Sequence, residues 1–213
     1  MSCCSHCKAA EKVFGEKAAK RDLKRYRRKG PDKTTAAVIE AIEASTIDSG
    51  SLLDIGAGIG VLHHELLGAA AGRAVHVDAS EAYLDAAREE SGRRGSMERI
   101  CFVHGDVVDL ADELGAADIV TLDRVICCYP DVGGLLAVSA GKARRLWVAS
   151  YPRDAWYVRV FVRLGNAVLW LTRNPFRAFV HPIAKIDKAL TGAGFERCFC
   201  RDTLVWRITA YSR

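Results

Sequence analysis

The sequence predicts an α/β fold: a mostly parallel sheet with helices on its faces, closed by an antiparallel hairpin and preceded by a helical arm. Three observations predict it. The stretch Ser51-Leu52-Leu53-Asp54-Ile55-Gly56-Ala57-Gly58-Ile59-Gly60-Val61-Leu62 takes an apolar strand straight into Gly-x-Gly-x-Gly and then into an amphipathic helix. Apolar runs over 74–77, 100–104, 118–123 and 145–150 alternate with helical patterns, as successive βαβ units require. Two alternating runs around Asp202 then read as a hairpin.

Length and composition bound the rest. The 213 residues are enough for one large domain with a full core, and an apolar fraction of 50% excludes global disorder. No run of 18 or more uncharged apolar residues occurs, so no spanning helix is expected. The start, Met1-Ser2-Cys3-Cys4-Ser5-His6-Cys7, lacks the apolar core of a signal peptide, so the eight cysteines are expected as reduced thiols in a cytoplasm. The net charge of +5 is local: Lys8 to Lys33 holds eleven Lys/Arg against four Asp/Glu, which is +7, and the remainder is near neutral. We therefore divide the chain into a basic helical arm over 1–33 and a domain over 34–213 that carries an apolar insert over 151–182.

In chain order, Cys4 and Cys7 have the spacing of half a zinc site that Cys3 with His6, or a distant pair such as Cys198 and Cys200, would complete; a plain terminus with ordinary thiols is the simpler reading, and no metal is assigned. Residues 9–29 predict a helix, rich in Ala, Lys, Glu and Arg and stopped by Gly30-Pro31. Its basic run over 20–29 is a solvated or site-covering face, or a patch for nucleic acid or anionic lipid. Asp32 or Thr34 caps the next helix, whose Val38, Ile39 and Ile42 share a face. After the glycine turn, Ile59, Leu62 and Leu66 point inward, and the adjacent His63 and His64 are expected at surface or edge positions. Ser80 caps a helix that runs to about Gly92, and Leu135, Leu136 and Val138 begin another. Residues 155–172 predict an apolar helix on which Arg159, Arg163 and Asn166 form one polar stripe. Its other faces need a cover: the domain's own core, an apolar acceptor pocket, a membrane surface or a dimer partner. A last helix runs from Ile183 to Ala193 and ends at Gly194.

The chemistry-bearing residues gather at strand ends. Asp54 precedes the first glycine, Asp78 ends the second strand, and Gly105-Asp106 ends the third. Any one strand-end aspartate also serves as a turn former, but three in one βαβ series point to a ligand beyond the carboxyl ends of the strands. This set resembles the class I S-adenosylmethionine-dependent methyltransferases, over roughly residues 34–213. The resemblance implies a Rossmann-like methyltransferase fold, with a seven-stranded sheet and a C-terminal antiparallel hairpin. It implies S-adenosylmethionine as cofactor, with the loop of Asp54, Gly56, Gly58 and Gly60 at the methionine part, Asp78 at the ribose and Asp106 at the adenine amino group. The segment Asp123 to Pro130 resembles magnesium-protoporphyrin O-methyltransferases: Tyr129-Pro130 match, while Cys128 stands where that family has histidine.

Methyl transfer asks chiefly for alignment, and for a base only when the acceptor atom carries a proton. Tyr26 on the arm, Asp123 and Tyr129 after the fourth strand, and His181 in the insert are the acceptor-side candidates for catalysis. Cys127 and Cys128 read as pocket wall. The expected function is methyl transfer to a small, fairly apolar acceptor, with a porphyrin-like molecule as one candidate. Nucleic acid is not the expected partner, and peripheral membrane contact through 155–172 stays open. The rival readings are an RNA methyltransferase that uses the basic arm and a non-catalytic cofactor- or metal-binding protein.

Overall fold

The structure, a computed structural model, describes residues 13–45, 47 and 50–213. The possible ligands Cys3, Cys4, His6 and Cys7, and the start of the arm, lie outside those residues. Among the described residues, no group of three or more side chains is gathered as metal ligands.

The elements follow the hydrophobic pattern. The arm gives α1 (Glu16–Lys29), and α2 (Lys33–Glu43) follows it. Then come β1 (Gly50–Ile55), a short α3 (Val61–Leu66), β2 (Ala71–Asp78), α4 (Glu81–Arg94), β3 (Ile100–His104) and β4 (Ala117–Asp123). The chain continues with α5 (Val132–Lys142), β5 (Ala143–Pro152), α6 (Trp156–Leu171), α7 (Ile183–Gly192), β6 (Glu196–Asp202) and β7 (Trp206–Ser212). The sheet runs β3-β2-β1-β4-β5-β7-β6; β7 pairs antiparallel with both neighbours and every other pairing is parallel. Reversal of order at β1 and β4 creates the crevice in which ligands of such sheets bind.

The central strands are apolar on both faces because helices cover both. Leu53, Val120, Leu122, Trp147 and Tyr211 point toward α5 and α7, into a core with Leu135, Leu136, Ile186 and Leu190. Their neighbours Leu52, Ile119, Val148 and Ile208 point the other way, against Val38, Ile42, Leu62 and Leu66 of α2 and α3. The caps read from the sequence are in place: Asp32 accepts from the N–H groups of Thr34 and Thr35 at 3.0 and 3.1 Å, and Ser80 accepts from Tyr83.

The arm packs onto α4. Ala19, Leu23 and Tyr26 are buried against Ile59, Tyr83 and Ala86. Fully buried Glu90 accepts from Arg27 Nε at 2.8 Å and Arg94 Nε at 2.9 Å, with Arg93 as a third partner. Against the cost of burial, those guanidinium groups hold its carboxyl far below the ordinary range. Much of the arm's charge is thus spent in internal pairs.

One expectation is overturned. His63 and His64 are buried, with His76 of β2 beside them. The rings of His63 and His64 meet edge-on, with centroids 4.3 Å apart, and His63 lies 5.1 Å from His76. Two consecutive helical residues do diverge, but here both directions are covered: His63 meets the sheet, and His64 stacks on Tyr26 of the arm. None of the six ring nitrogens has a side-chain or backbone hydrogen bond that meets ordinary geometry. Burial pushes His64 down to about 4 and His76 to about 3, and pushes His63 well down too, so all three are neutral.

Two predictions follow from these buried groups. An unfolded histidine takes a proton near pH 6.5 while these three stay neutral, so their contribution is complete above that pH and is lost as pH falls toward their folded values. His76→Phe should therefore reduce the loss of unfolding free energy between about pH 7 and about pH 5 by up to about 2 kcal/mol. Urea titrations of both proteins at the two pH values measure this, and an identical pH dependence contradicts it. Glu90 is shifted down as well, so its contribution is present above the ordinary carboxyl range and is lost as pH falls toward its folded value. Glu90→Gln should cost about 1–3 kcal/mol at neutral pH, seen as a lowered urea midpoint.

Candidate active site

A cavity of about 460 Å³ lies at the carboxyl ends of β1, β2 and β4. Its floor is the glycine turn. Gly56 and Gly60 have φ of +60° and +81°, and a Cβ on them would come within 2.5 Å of Val125 and 2.3 Å of His63. Both positions need glycine; Gly56 and Gly58 line the cavity, whereas Gly60 stands behind the lining, against His63. The helix behind the turn has six residues, so the loop rather than a helix dipole shapes the floor.

The three strand-end acids read from the sequence all line the cavity. Asp54 is 1% exposed; Oδ1 accepts from Thr121 Oγ1 at 2.7 Å, and Oδ2 has no hydrogen-bond partner, with His63 Nδ1 3.9 Å away. Burial raises its carboxyl to about 7, the Thr121 hydroxyl opposes this, and nearby Asp123 and Asp78 add to it. Asp78 accepts from the N–H of Gly58 at 2.8 Å and from that of Ser80 at 2.8 Å. Burial lifts its carboxyl as well, opposed by those N–H groups. Asp106 accepts from the Val108 N–H at 3.0 Å and from Tyr129 Oη at 2.6 Å. An orphaned carboxylate oxygen beside a bare glycine backbone, with two more acids along the same wall, suits a ligand with a cationic end and hydroxyl and amino groups. The residues present fit S-adenosylmethionine.

The acceptor-side candidates divide. Asp123 and Tyr129 line the cavity. Asp123 is engaged by Thr35 Oγ1 at 2.7 Å, Arg124 at 3.0 Å and the Ser150 hydroxyl, so its oxygens serve the framework. Tyr26 does not reach the cavity. Its hydroxyl donates to Glu65 and accepts from Arg94 at 2.7 Å, and burial followed by Glu65 pushes its pKa up, which keeps it a neutral donor inside the arm's interface. His181 also stands behind the wall: Nε2 lies 3.0 Å from the Tyr129 carbonyl, the ring stacks on Phe179, and burial lowers its pKa. It positions the Tyr129 loop. Cys127 and Cys128 are in the wall, with their sulfurs 3.6 Å apart.

The sequence reading missed several wall residues. The arm contributes Phe14, Asp22 and Arg25; Tyr83 and Trp206 come from α4 and the far hairpin. Phe14 is pinned edge-on between Tyr83 and Phe176 at 6.1 and 5.6 Å, and its carbonyl accepts from Ser80 Oγ at 2.7 Å. Tyr83 Oη donates to Asp22 at 2.6 Å. The apolar spacing of Phe14, Ala18 and Tyr26 in a basic arm was the available signal. No residue of α6 lines the cavity, which removes the insert as an acceptor pocket, and its exposed outer face removes the core as its cover.

Comparison with known proteins agrees with this geometry. Residues 52–139 match the family model described as a methyltransferase domain. Magnesium protoporphyrin IX methyltransferase from Synechocystis PCC 6803, solved with bound SAH, is similar in structure: TM-score 0.72 and 21% identity, over 95% of this chain and 99% of that one. An O-methyltransferase family 2 protein from Planctomyces limnophilus, in complex with apigenin, has TM-score 0.67 and 16% identity over 92% of this chain and 61% of that one. An RNA methyltransferase, so described as putative, from Pyrococcus horikoshii has TM-score 0.58 and 16% identity over 87% and 84%. No curated protein matches the sequence. Residues 52–139 thus match a methyltransferase domain, and the whole chain has the Rossmann-like methyltransferase fold of these neighbours.

Proposed function

We propose that the protein transfers a methyl group from S-adenosylmethionine to a small, fairly apolar molecule with an acidic group, a porphyrin-like acceptor among the candidates. The observation that carries this reading is the continuity of the cavity. The acid-lined glycine floor runs without a break into a wall of Phe14, Val125, Cys127, Tyr129 and Trp206. When bound, the cofactor supplies an electrophilic methyl group on a sulfonium. Asp54 and the Gly56–Gly60 loop hold the methionine part, Asp78 the ribose hydroxyls and Asp106 the adenine amino group. The chain's task beyond that is to align the acceptor and exclude water.

Of the acceptor-side candidates in the wall, neither Asp123 nor Tyr129 stands ready as a general base. Asp123 spends its oxygens on Thr35, Arg124 and Ser150, and the Tyr129 hydroxyl donates to Asp106. An acceptor atom that is already deprotonated at neutral pH, such as a carboxylate, needs none, and Arg25 and Arg124 are the cations in the wall. The fold likeness to a magnesium protoporphyrin IX methyltransferase is consistent with such an acceptor. Part of the arm's charge is spent on internal pairs rather than offered to RNA: Arg27 is held by Glu89 and Glu90, Lys20 by Glu16, and Arg25 lies 3.6 Å from Asp32.

Two measurements test the reading. Asp78→Ala should weaken binding of S-adenosylhomocysteine at least tenfold in calorimetry, while unchanged affinity in a folded variant removes the ribose assignment. Methyl-labelled S-adenosylmethionine incubated with the protein and a cell extract should place label in the organic-soluble fraction. Label in the nucleic-acid fraction would make RNA the acceptor class; cofactor binding with label in no fraction would favour a non-catalytic binding protein.

A further inference from the structure

The strongest feature outside the cavity is α6. Of the nine large hydrophobic side chains exposed among the described residues, seven lie on this helix. Trp156, Phe161, Leu164, Val168, Trp170 and Leu171 are each 59–76% exposed, and Leu204 in the adjoining hairpin turn is 76% exposed. At about 100° per residue these side chains cover the outward half of the helix. The inward edge holds it to the domain. Val158 is buried, Asn166 exchanges two hydrogen bonds with the Ala178 backbone at 2.8 and 2.9 Å, and Tyr157 Oη donates to the Leu204 carbonyl at 2.8 Å. Contiguous apolar surface of this size is unusual on a protein that stays in water.

Charge says what covers it. Between Asp154 and Asp187 the chain has no Asp or Glu, and it carries Arg159, Arg163, Arg173, Arg177 and Lys185. Arg159 is paired with Asp154, whereas Arg163 and Arg173 have no carboxylate partner among the described residues. A second copy seated on the same face would bring arginine to arginine with no acid between them. A surface of anionic headgroups over acyl chains complements both the cations and the aromatic face. The helix has 16 residues, about 24 Å at about 1.5 Å per residue, short of a hydrocarbon core of about 30 Å. That geometry suits lying along an interface, and no helix among the described residues is long and apolar enough to cross a membrane.

We propose that α6 docks this protein on an anionic lipid surface, lying in the headgroup boundary with Trp156, Phe161, Leu164 and Trp170 inserted and Arg163 and Arg173 against the headgroups. Both ends of α6 adjoin the cavity wall: Leu204 is two residues from Trp206, and Phe176 packs on Phe14. Docking therefore brings the cavity to the membrane, which deepens the methyltransferase reading by making the acceptor a membrane-partitioned molecule; lipid binding itself does not require that reading.

The test uses the full chain, without cofactor or acceptor, so its failure and that of methyl transfer are separate. Sedimentation with vesicles of phosphatidylcholine alone and of phosphatidylcholine with phosphatidylglycerol should show binding at least tenfold stronger to the second. Tryptophan emission should shift to shorter wavelength on binding. Phe161→Asp combined with Leu164→Asp should abolish sedimentation, and Arg163→Glu combined with Arg173→Glu should weaken it at least tenfold, both with unchanged circular dichroism. Lys24→Glu with Arg28→Glu on the arm should leave it unchanged. Equal binding to both vesicles, binding to neither, or loss through the arm variant overturns the proposal. So does a dimer in sedimentation equilibrium that Phe161→Asp converts to monomer, which would assign the face to a second copy.

Discussion

The backbone at Arg124 is the constraint on which the site depends. Its φ is +62°, in the left-handed region that L-residues with long side chains avoid at a cost of about 1–3 kcal/mol. From there its N–H donates to Ser150 Oγ at 3.0 Å, and its guanidinium reaches Asp32 at 2.7 Å, Thr35 at 2.8 Å and Asp123 at 3.0 Å. Those contacts tie the end of β4 to β5 and to the start of α2, and so offset the strain. The same turn drives Val125 into the space above Gly56, where a Cβ would lie 2.5 Å from the valine methyl. The glycine turn after β1 and the strained turn after β4 are therefore one device. Val125 packs where a side chain at Gly56 would stand, and the cavity is lined by both turns.

How much of this was legible in the sequence depends on how local each determinant is. The boundaries of β3 and the caps Asp32 and Ser80 were readable because strand periodicity and capping act within a few residues. The glycine turn and the acids at 54, 78 and 106 were readable because strand ends in a parallel sheet converge by topology, and all three do line the cavity. What failed was orientation. Tyr26 sits on the arm as expected, but half a turn decides whether it faces the cavity or Glu65, and that is set by Arg94 and Glu90 on a helix some sixty residues away. His63 and His64 looked like surface residues because nothing local says that β2 and the arm will close over them. Phe14 and Trp206 reach the wall only through the packing of two chain ends.

Burial and charge explain why the arm is a fixed part of the domain rather than a loose basic tail. Fully buried Glu90 would be costly alone, yet with Arg27, Arg93 and Arg94 around it the carboxylate becomes the anchor of the α1–α4 interface. The neutral histidines on the other side of Tyr26 fill the space between the arm and the sheet with rings that carry no charge at neutral pH. The arrangement places Phe14, Asp22 and Arg25 over the cavity without adding their charges to the core.

The exposed helix and the apolar cavity wall bear on the same chemical question. Water competes with any acceptor for an electrophilic methyl group, and the cavity wall holds apolar groups where an acceptor would lie. With Asp123 and Tyr129 both engaged in hydrogen bonds, an acceptor that arrives deprotonated makes the least demand on this wall, and a carboxylate on an otherwise apolar molecule meets both conditions. Such a molecule is amphipathic and partitions to a lipid interface with its acid at the headgroups. An enzyme that collected it there would need an apolar helix of less than spanning length, cations at the helix edge, and a cavity beside the helix ends. Those three features meet at α6, where Phe176 touches Phe14 and Leu204 leads to Trp206.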